Sequence, residues 1–134
     1  MSVFPSPDGL SVVSLDFYGE IRFGPSYFKL SINDKPLRGR LFGDEILWSQ
    51  DSAFVAVQEW LTTSEKEGPY TSLACFRPAS NQQCEVSRTK GGFIVPKSFL
   101  GDRLIYATQR YSPNGCITAE HTIELDTFPG WNAL

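Results

Sequence analysis

Apolar residues along this chain recur mostly with a period of two over short stretches, and Gly, Pro, Asn and Asp punctuate those stretches. Successive side chains on a strand point to opposite faces, so this is the pattern of half-buried strands joined by turns. It is clearest over residues 116–125, CITAEHTIEL, where Ile117, Ala119, His121, Ile123 and Leu125 share one face and Thr118, Glu120, Thr122 and Glu124 share the other. A half-buried strand is predicted there, with the only histidine of the chain on its apolar face. The preceding run RLIYATQRY, residues 103–111, is joined to it by Ser112-Pro113-Asn114-Gly115, whose residues supply turn dihedrals, so a long hairpin is expected.

The remaining elements follow the same logic. Ser49-Gln50-Asp51-Ser52 separates Trp48 from the run 54–61, and Ser6-Pro7-Asp8-Gly9 leads into 10–17. Phe28, Leu30 and Ile32 alternate before the Asn33-Asp34-Lys35-Pro36 turn, after which 37–42 returns. Residues 73–77 and 84–88 flank Pro78-Ala79-Ser80-Asn81, and Lys90-Gly91-Gly92 precedes Phe93-Ile94-Val95. Nine to eleven short strands are expected. Apolar residues nowhere keep a helical period for three turns, so helix is limited to one turn around 63–67 and another near 97–100. A chain of 134 residues suits one hydrophobic core. The expected fold is therefore a single all-β domain over residues 1–134, an antiparallel sheet packed as a sandwich or partly open barrel.

The tetrapeptides SPDG, SQDS and SPNG begin at residues 6, 49 and 112, each before a β-rich run. The S-P-D-G turn and the first separation, near forty residues, resemble blades of TolB-like and WD-repeat propellers, where such a turn joins two strands of one blade. That resemblance implies blade-like hairpins in a propeller-like accessory module. The alternative is one turn chemistry reused within an ordinary antiparallel sheet.

Composition narrows the partners. Net charge is −3 and the pI about 5.1, a balance that does not draw a protein onto a phosphate backbone or an anionic membrane. Lys29, Lys35, Arg38 and Arg40 lie near Tyr27 and Phe42, but the overall acidity argues against nucleic acid. Residues 41–70 hold six acids and one base, whereas 71–110 hold six bases and two acids, so the surface is expected to be dipolar. No apolar run spans a bilayer and residues 1–10 have no basic leader, so no membrane association is expected. Cys75, Cys84 and Cys116 are odd in number and lack C-x-x-C spacing, which fits a reducing, cytoplasmic setting rather than a disulfide framework or a zinc site.

Candidate chemistry begins with His121, because histidine is the commonest general base near neutral pH. Its place on the predicted apolar face favours a core role. Glu120 and Glu124 point the same way but stand about 13 Å apart by strand rise, wider than paired carboxylates use in glycoside hydrolysis. No G-x-S-x-G, H-E-x-x-H, Walker or Rossmann pattern occurs. Neither catalytic residues nor a metal or cofactor is expected.

What remains is an inventory for recognition: Trp60, Tyr70, Tyr111, Phe128 and Trp131 near loop signals, with acids close by. Aromatics carry much of the energy at protein contacts. The longest polar connection, residues 62–70, presents Glu65 and Glu67 beside Tyr70. These three, with Asp51 in its turn and Trp131 near the end of the chain, are the candidate partner-binding residues. In being small, acidic, β-rich and without chemistry of its own, the chain resembles bacterial toxin-immunity proteins. The resemblance implies a non-catalytic protein that binds and blocks a cognate toxin enzyme of NAD-consuming or nuclease type, its loop carboxylates occupying a positively lined cleft. The alternative is a small-molecule-binding β-barrel or the propeller-like module.

Overall fold

The computed structural model describes residues 1–22 and 24–134. It is all-β, with 63% of residues in strands and 2% helical. Twelve strands run in chain order: β1 Ser2–Pro5, β2 Val12–Glu20, β3 Ser26–Ile32, β4 Lys35–Pro36, β5 Leu41–Trp48, β6 Val55–Trp60, β7 Tyr70–Arg77, β8 Gln82–Lys90, β9 Gly92–Leu100, β10 Arg103–Ser112, β11 Gly115–Glu124 and β12 Asn132–Ala133. A 3-10 turn, Pro78–Ser80, separates β7 from β8 and is closed by Asn81 in the left-handed region. Among the described residues no helix is long and apolar enough to cross a membrane.

Nine strands form one antiparallel sheet in the order β1-β2-β3-β5-β6-β7-β8-β12, with β4 beside β3, and β11-β10-β9 form a second sheet. The large sheet bends back on itself without closing into a barrel. Val13 and Leu15 of β2, Leu30 and Ile32 of β3 and Phe42 of β5 thereby meet Val55, Val57, Ala74 and Phe76 of β6 and β7. The other face of β6–β8, through Ala56, Leu73, Cys75 and Cys84, packs with Phe54 against Ile94, Phe99, Leu104 and Tyr106 of the second sheet. β6 and β7 are thus the middle layer, covered on both faces, and VAVQEW and YTSLACFR are buried almost without alternation for that reason.

Two of the three serine tetrapeptides form the same turn. The Ser6 hydroxyl donates to Asp8 Oδ1 at 2.6 Å and accepts the Ser11 amide, while Asp8 Oδ1 accepts the Leu10 amide. The Ser49 hydroxyl likewise donates to Asp51 Oδ1 at 2.7 Å and accepts the Phe54 amide, while Asp51 Oδ1 accepts the Ala53 amide. The two turns touch, the Asp8 amide donating to Ser52 Oγ at 3.0 Å. SPNG differs: Ser112 pairs directly with Gly115 and only Pro113 and Asn114 form the loop.

These hydrogen bonds hold both carboxyls below the ordinary value of 3.8, the serine hydroxyl contributing most in each case. A depressed folded-state value contributes stability above the unfolded value, and that contribution is lost as pH falls through the folded one. The urea midpoint is therefore expected to drop as pH is lowered below about 4, and Asp51→Asn to flatten part of that drop. An equally steep drop in Asp51→Asn would contradict this.

Two expected helical turns are absent. Residues 65–67 make an irregular turn, and 97–100 continue β9, where Lys97 is the extra residue of a bulge opposite β10 and is exposed while Phe99 enters the core and Leu100 faces out. The prediction for 116–125 needs a larger correction. Its parity holds, since Ile123 and Leu125 reach the core cluster on that side. The strand nevertheless overhangs the layer beneath it, so Ile117, Ala119 and His121 are exposed, Ile117 at 67%.

Candidate functional site

The most distinctive surface is a row of aromatic rings that crosses both sheets. It begins at a bulge in β2, where Phe17 pairs with Phe28 and Gly19 with Tyr27, leaving Tyr18 as the extra residue. Tyr18 is 57% exposed, and the Lys29 ammonium lies 4.7 Å over its ring. Gly19 permits the next ring to lie close, because a Cβ there would stand 2.6 Å from the Tyr27 hydroxyl oxygen. From Tyr18 the row passes to Tyr27 at 6.2 Å, Trp60 at 6.3 Å, Phe93 at 5.5 Å and Tyr111 at 5.9 Å. These spacings are those of favourable tilted and edge-to-face aromatic pairs. Tyr111, at the far end, is 56% exposed, and Phe17, 64% exposed, packs edge-on against Phe28 beside the near end.

Beside the middle of the row lies a cleft of about 500 Å³ whose apolar walls include Ile21, Pro25, Trp60, Pro69 and Phe93, with exposed Arg22 and Glu65 also lining it. The loop between β6 and β7 is held across it: the Leu61 amide donates to the Tyr70 carbonyl, Thr62 Oγ1 accepts the Ser64 amide, and Glu65 Oε1 accepts the Arg22 amide at 2.9 Å. The Trp60 indole N–H is the one buried polar side-chain atom without a hydrogen-bond partner among the described residues. It faces Gly43, in a bulge where residues 43–45 of β5 oppose Gln58 alone.

The candidate partner-binding residues fall in different places. Glu65 and Glu67 are exposed on the cleft loop, with Glu65 tied to the Arg22 amide. Tyr70 opens β7 half-buried beneath the Arg88 guanidinium, which itself pairs with Glu85. Asp51 closes its own turn, its carboxylate accepting from the Ser49 hydroxyl and the Ala53 amide. Trp131 is stacked at 4.0 Å by Arg77, lies against Phe54 and donates its indole N–H to the Leu125 carbonyl, so it acts as a lid on the core. The row brings together residues that the loop-based reading passed over: Phe17, Tyr18, Tyr27 and Phe93. One signal was available, because neighbouring residues of a strand point to opposite faces, so Phe17-Tyr18 sets an aromatic on each face of the run 10–17 and its continuation.

Of the acids in 41–70, Glu59 is held by two hydrogen bonds from Arg40, at 2.8 and 2.9 Å. Asp44, Glu45 and Glu67 remain exposed.

His121 stacks on Tyr106 at 5.1 Å and lies 3.4 Å from Thr108 Oγ1. Cys116 is on the opposite face of the same strand, and its sulfur contacts Thr118 Oγ1. Cys75 and Cys84 oppose each other across β7 and β8 inside the core. Burial pushes the Cys75 thiol up, whereas a hydrogen bond from Cys75 and the nearby Arg77 lower Cys84. The histidine and the two buried thiols are therefore on separate elements, and among the described residues no cluster of metal-ligating side chains occurs.

No family model, curated protein or solved structure matches the chain.

Proposed function

We propose that this is a non-catalytic protein-binding protein that acts as an immunity protein, covering the active-site region of a cognate toxin enzyme with its aromatic row and the adjoining acidic loop. The observation that carries the reading is the row itself. Five rings in contact, exposed at both ends and flanked by Lys29, Arg22 and Glu65, have the composition of an interface centre with a charged rim. Glu67, Asp44 and Glu45 supply exposed negative charge suited to a cationic substrate cleft. The three free thiols suit action in the cytoplasm.

The test is protection: the chain is co-expressed with the enzyme encoded beside its own gene, and affinity for that enzyme is measured by calorimetry. Tyr18→Ala and Tyr111→Ala are each expected to weaken binding about tenfold or more, the loss typical of an aromatic anchor. Undiminished protection by the double variant, or none by the natural chain, would defeat the reading. The apolar cleft is also of a size that holds small molecules, which supports small-molecule binding in an open cleft, without a closed barrel, as the alternative. A small molecule retained in native mass spectrometry would favour that alternative.

A further inference from the structure

A strand at the edge of a sheet carries unpaired N–H and C=O groups, and proteins ordinarily shorten, interrupt or cover such edges. Three of the four edges here are treated in that way. β1 has four residues and ends at Pro5, and β12 has two, leaving 84–90 of β8 at the rim, where a bulge at Val86 interrupts the strand and Lys90 ends it. The β9 edge is closed from within: the Thr71 hydroxyl donates to the Gly92 carbonyl at 3.1 Å and accepts the Ile94 amide at 3.0 Å, and Gln58 Nε2 donates to the Ile94 carbonyl at 3.1 Å.

The fourth edge has none of these devices. β11 is ten residues long, pairs with β10 without a bulge, contains no proline or lysine, and is exposed from Gly115 through Thr122. Ser112 and Gly115 flank a two-residue loop and so form a hydrogen-bonded pair. Alternation from that pair bonds Ile117, Ala119, His121 and Ile123 to β10. It turns the N–H and C=O groups of Cys116, Thr118, Glu120, Thr122 and Glu124 outward.

We infer that β11 is a self-association edge, on which a second copy of this chain lays its own β11 antiparallel, about a two-fold axis at Ala119, to make a continuous six-stranded sheet. The self-complementary order of side chains along β11 chooses the occupant, and avoidance of like charge together with ladder length chooses the axis. An axis at Glu120 would set two Glu120 carboxylates opposite each other, and one at Thr118 would shorten the ladder. With the axis at Ala119, Thr118 meets Glu120 of the second copy, hydroxyl against carboxylate, and Cys116 meets Thr122. Ile117 meets His121, which covers the apolar side chain that the monomer leaves in water. The smallest side chain, Ala119, lies on the axis, at a pair of the closely spaced kind.

Sedimentation velocity over a concentration series tests this on the full chain, with circular dichroism confirming that each variant is folded. The natural chain is expected to show a concentration-dependent dimer. Thr118→Pro removes an outward N–H while leaving the β10 ladder intact, and is expected to be monomeric. Thr118→Glu places like charges opposite each other twice, and is expected to weaken the dimer about tenfold. Adding Glu120→Lys to Thr118→Glu is expected to restore it. A natural chain that is monomeric throughout, a dimer indifferent to Thr118→Pro and Thr118→Glu, or no restoration by Glu120→Lys would each overturn the inference. So would a monomer whose binding to the toxin enzyme is lost in Thr118→Pro, which would assign the edge to that enzyme instead.

Discussion

Phe76→Ala is expected to destabilise the protein by about 3–5 kcal/mol, the cost of truncating a buried aromatic where the surroundings cannot collapse. Phe76 is wholly buried in the cluster between β2–β5 and β6–β7, 6.4 Å from Phe42 between ring centres. Its neighbourhood is fixed from several sides. The Arg40 guanidinium lies 5.2 Å from the Phe42 ring and 5.5 Å from the Phe76 ring, while bonding Glu59 twice and Gln83 once. The cavity is therefore lined by groups already committed to other partners, which keeps the loss near the upper part of that range. Urea unfolding checks this as a fall in midpoint at unchanged slope. Phe76→Leu, which refills much of the volume, is expected to recover more than half of the loss. A loss below about 1 kcal/mol in Phe76→Ala would mean that the bent sheet is not packed face to face there.

Thr71→Val is expected to cost about 2–4 kcal/mol although it preserves shape, because two buried backbone groups lose their partner. The Thr71 hydroxyl is the acceptor for the Ile94 amide and the donor to the Gly92 carbonyl, and Thr71 itself is fully buried. Among the described residues no strand lies beyond that edge of β9 to replace it. Thr71→Ser, which retains the hydroxyl, is expected to lose much less. The contrast between Val and Ser in the same urea assay separates hydrogen bonding from packing. Equal losses in both would show that the methyl contributes as much as the two hydrogen bonds, which contradicts this account.

Both residues illustrate how far local pattern carries. Residues 73–77 and 84–88 around Pro78-Ala79-Ser80-Asn81 are a hairpin in both sequence and structure, because turn residues and β-formers act within a few positions of one another. The shared Ser-x-Asp turns at 6–9 and 49–52 are legible for the same reason. Thr71 looks like an ordinary strand threonine in the sequence, since its partners Gly92 and Ile94 are about twenty residues away and are brought to it by sheet packing. The candidate site behaves likewise. Trp60 and Tyr111 stand out as aromatics near turns, but their joining through Phe93 depends on strands from two sheets meeting at one end.

His121 marks the boundary between the two kinds of information. Alternation over 116–125 determined that the segment is a strand, which residues share a face, and that this face is the core side, because side-chain direction along a strand is a property of the local backbone. Local alternation also determined the all-β class and the positions of most turns. Burial was decided only by the tertiary structure. It depends on whether another layer lies beneath a given stretch, and the layer under β11 extends below Ile123 and Leu125 but not below Ile117, Ala119 or His121. The place of β11 at the end of its sheet, which leaves its outer backbone groups open, is likewise set by the tertiary structure alone.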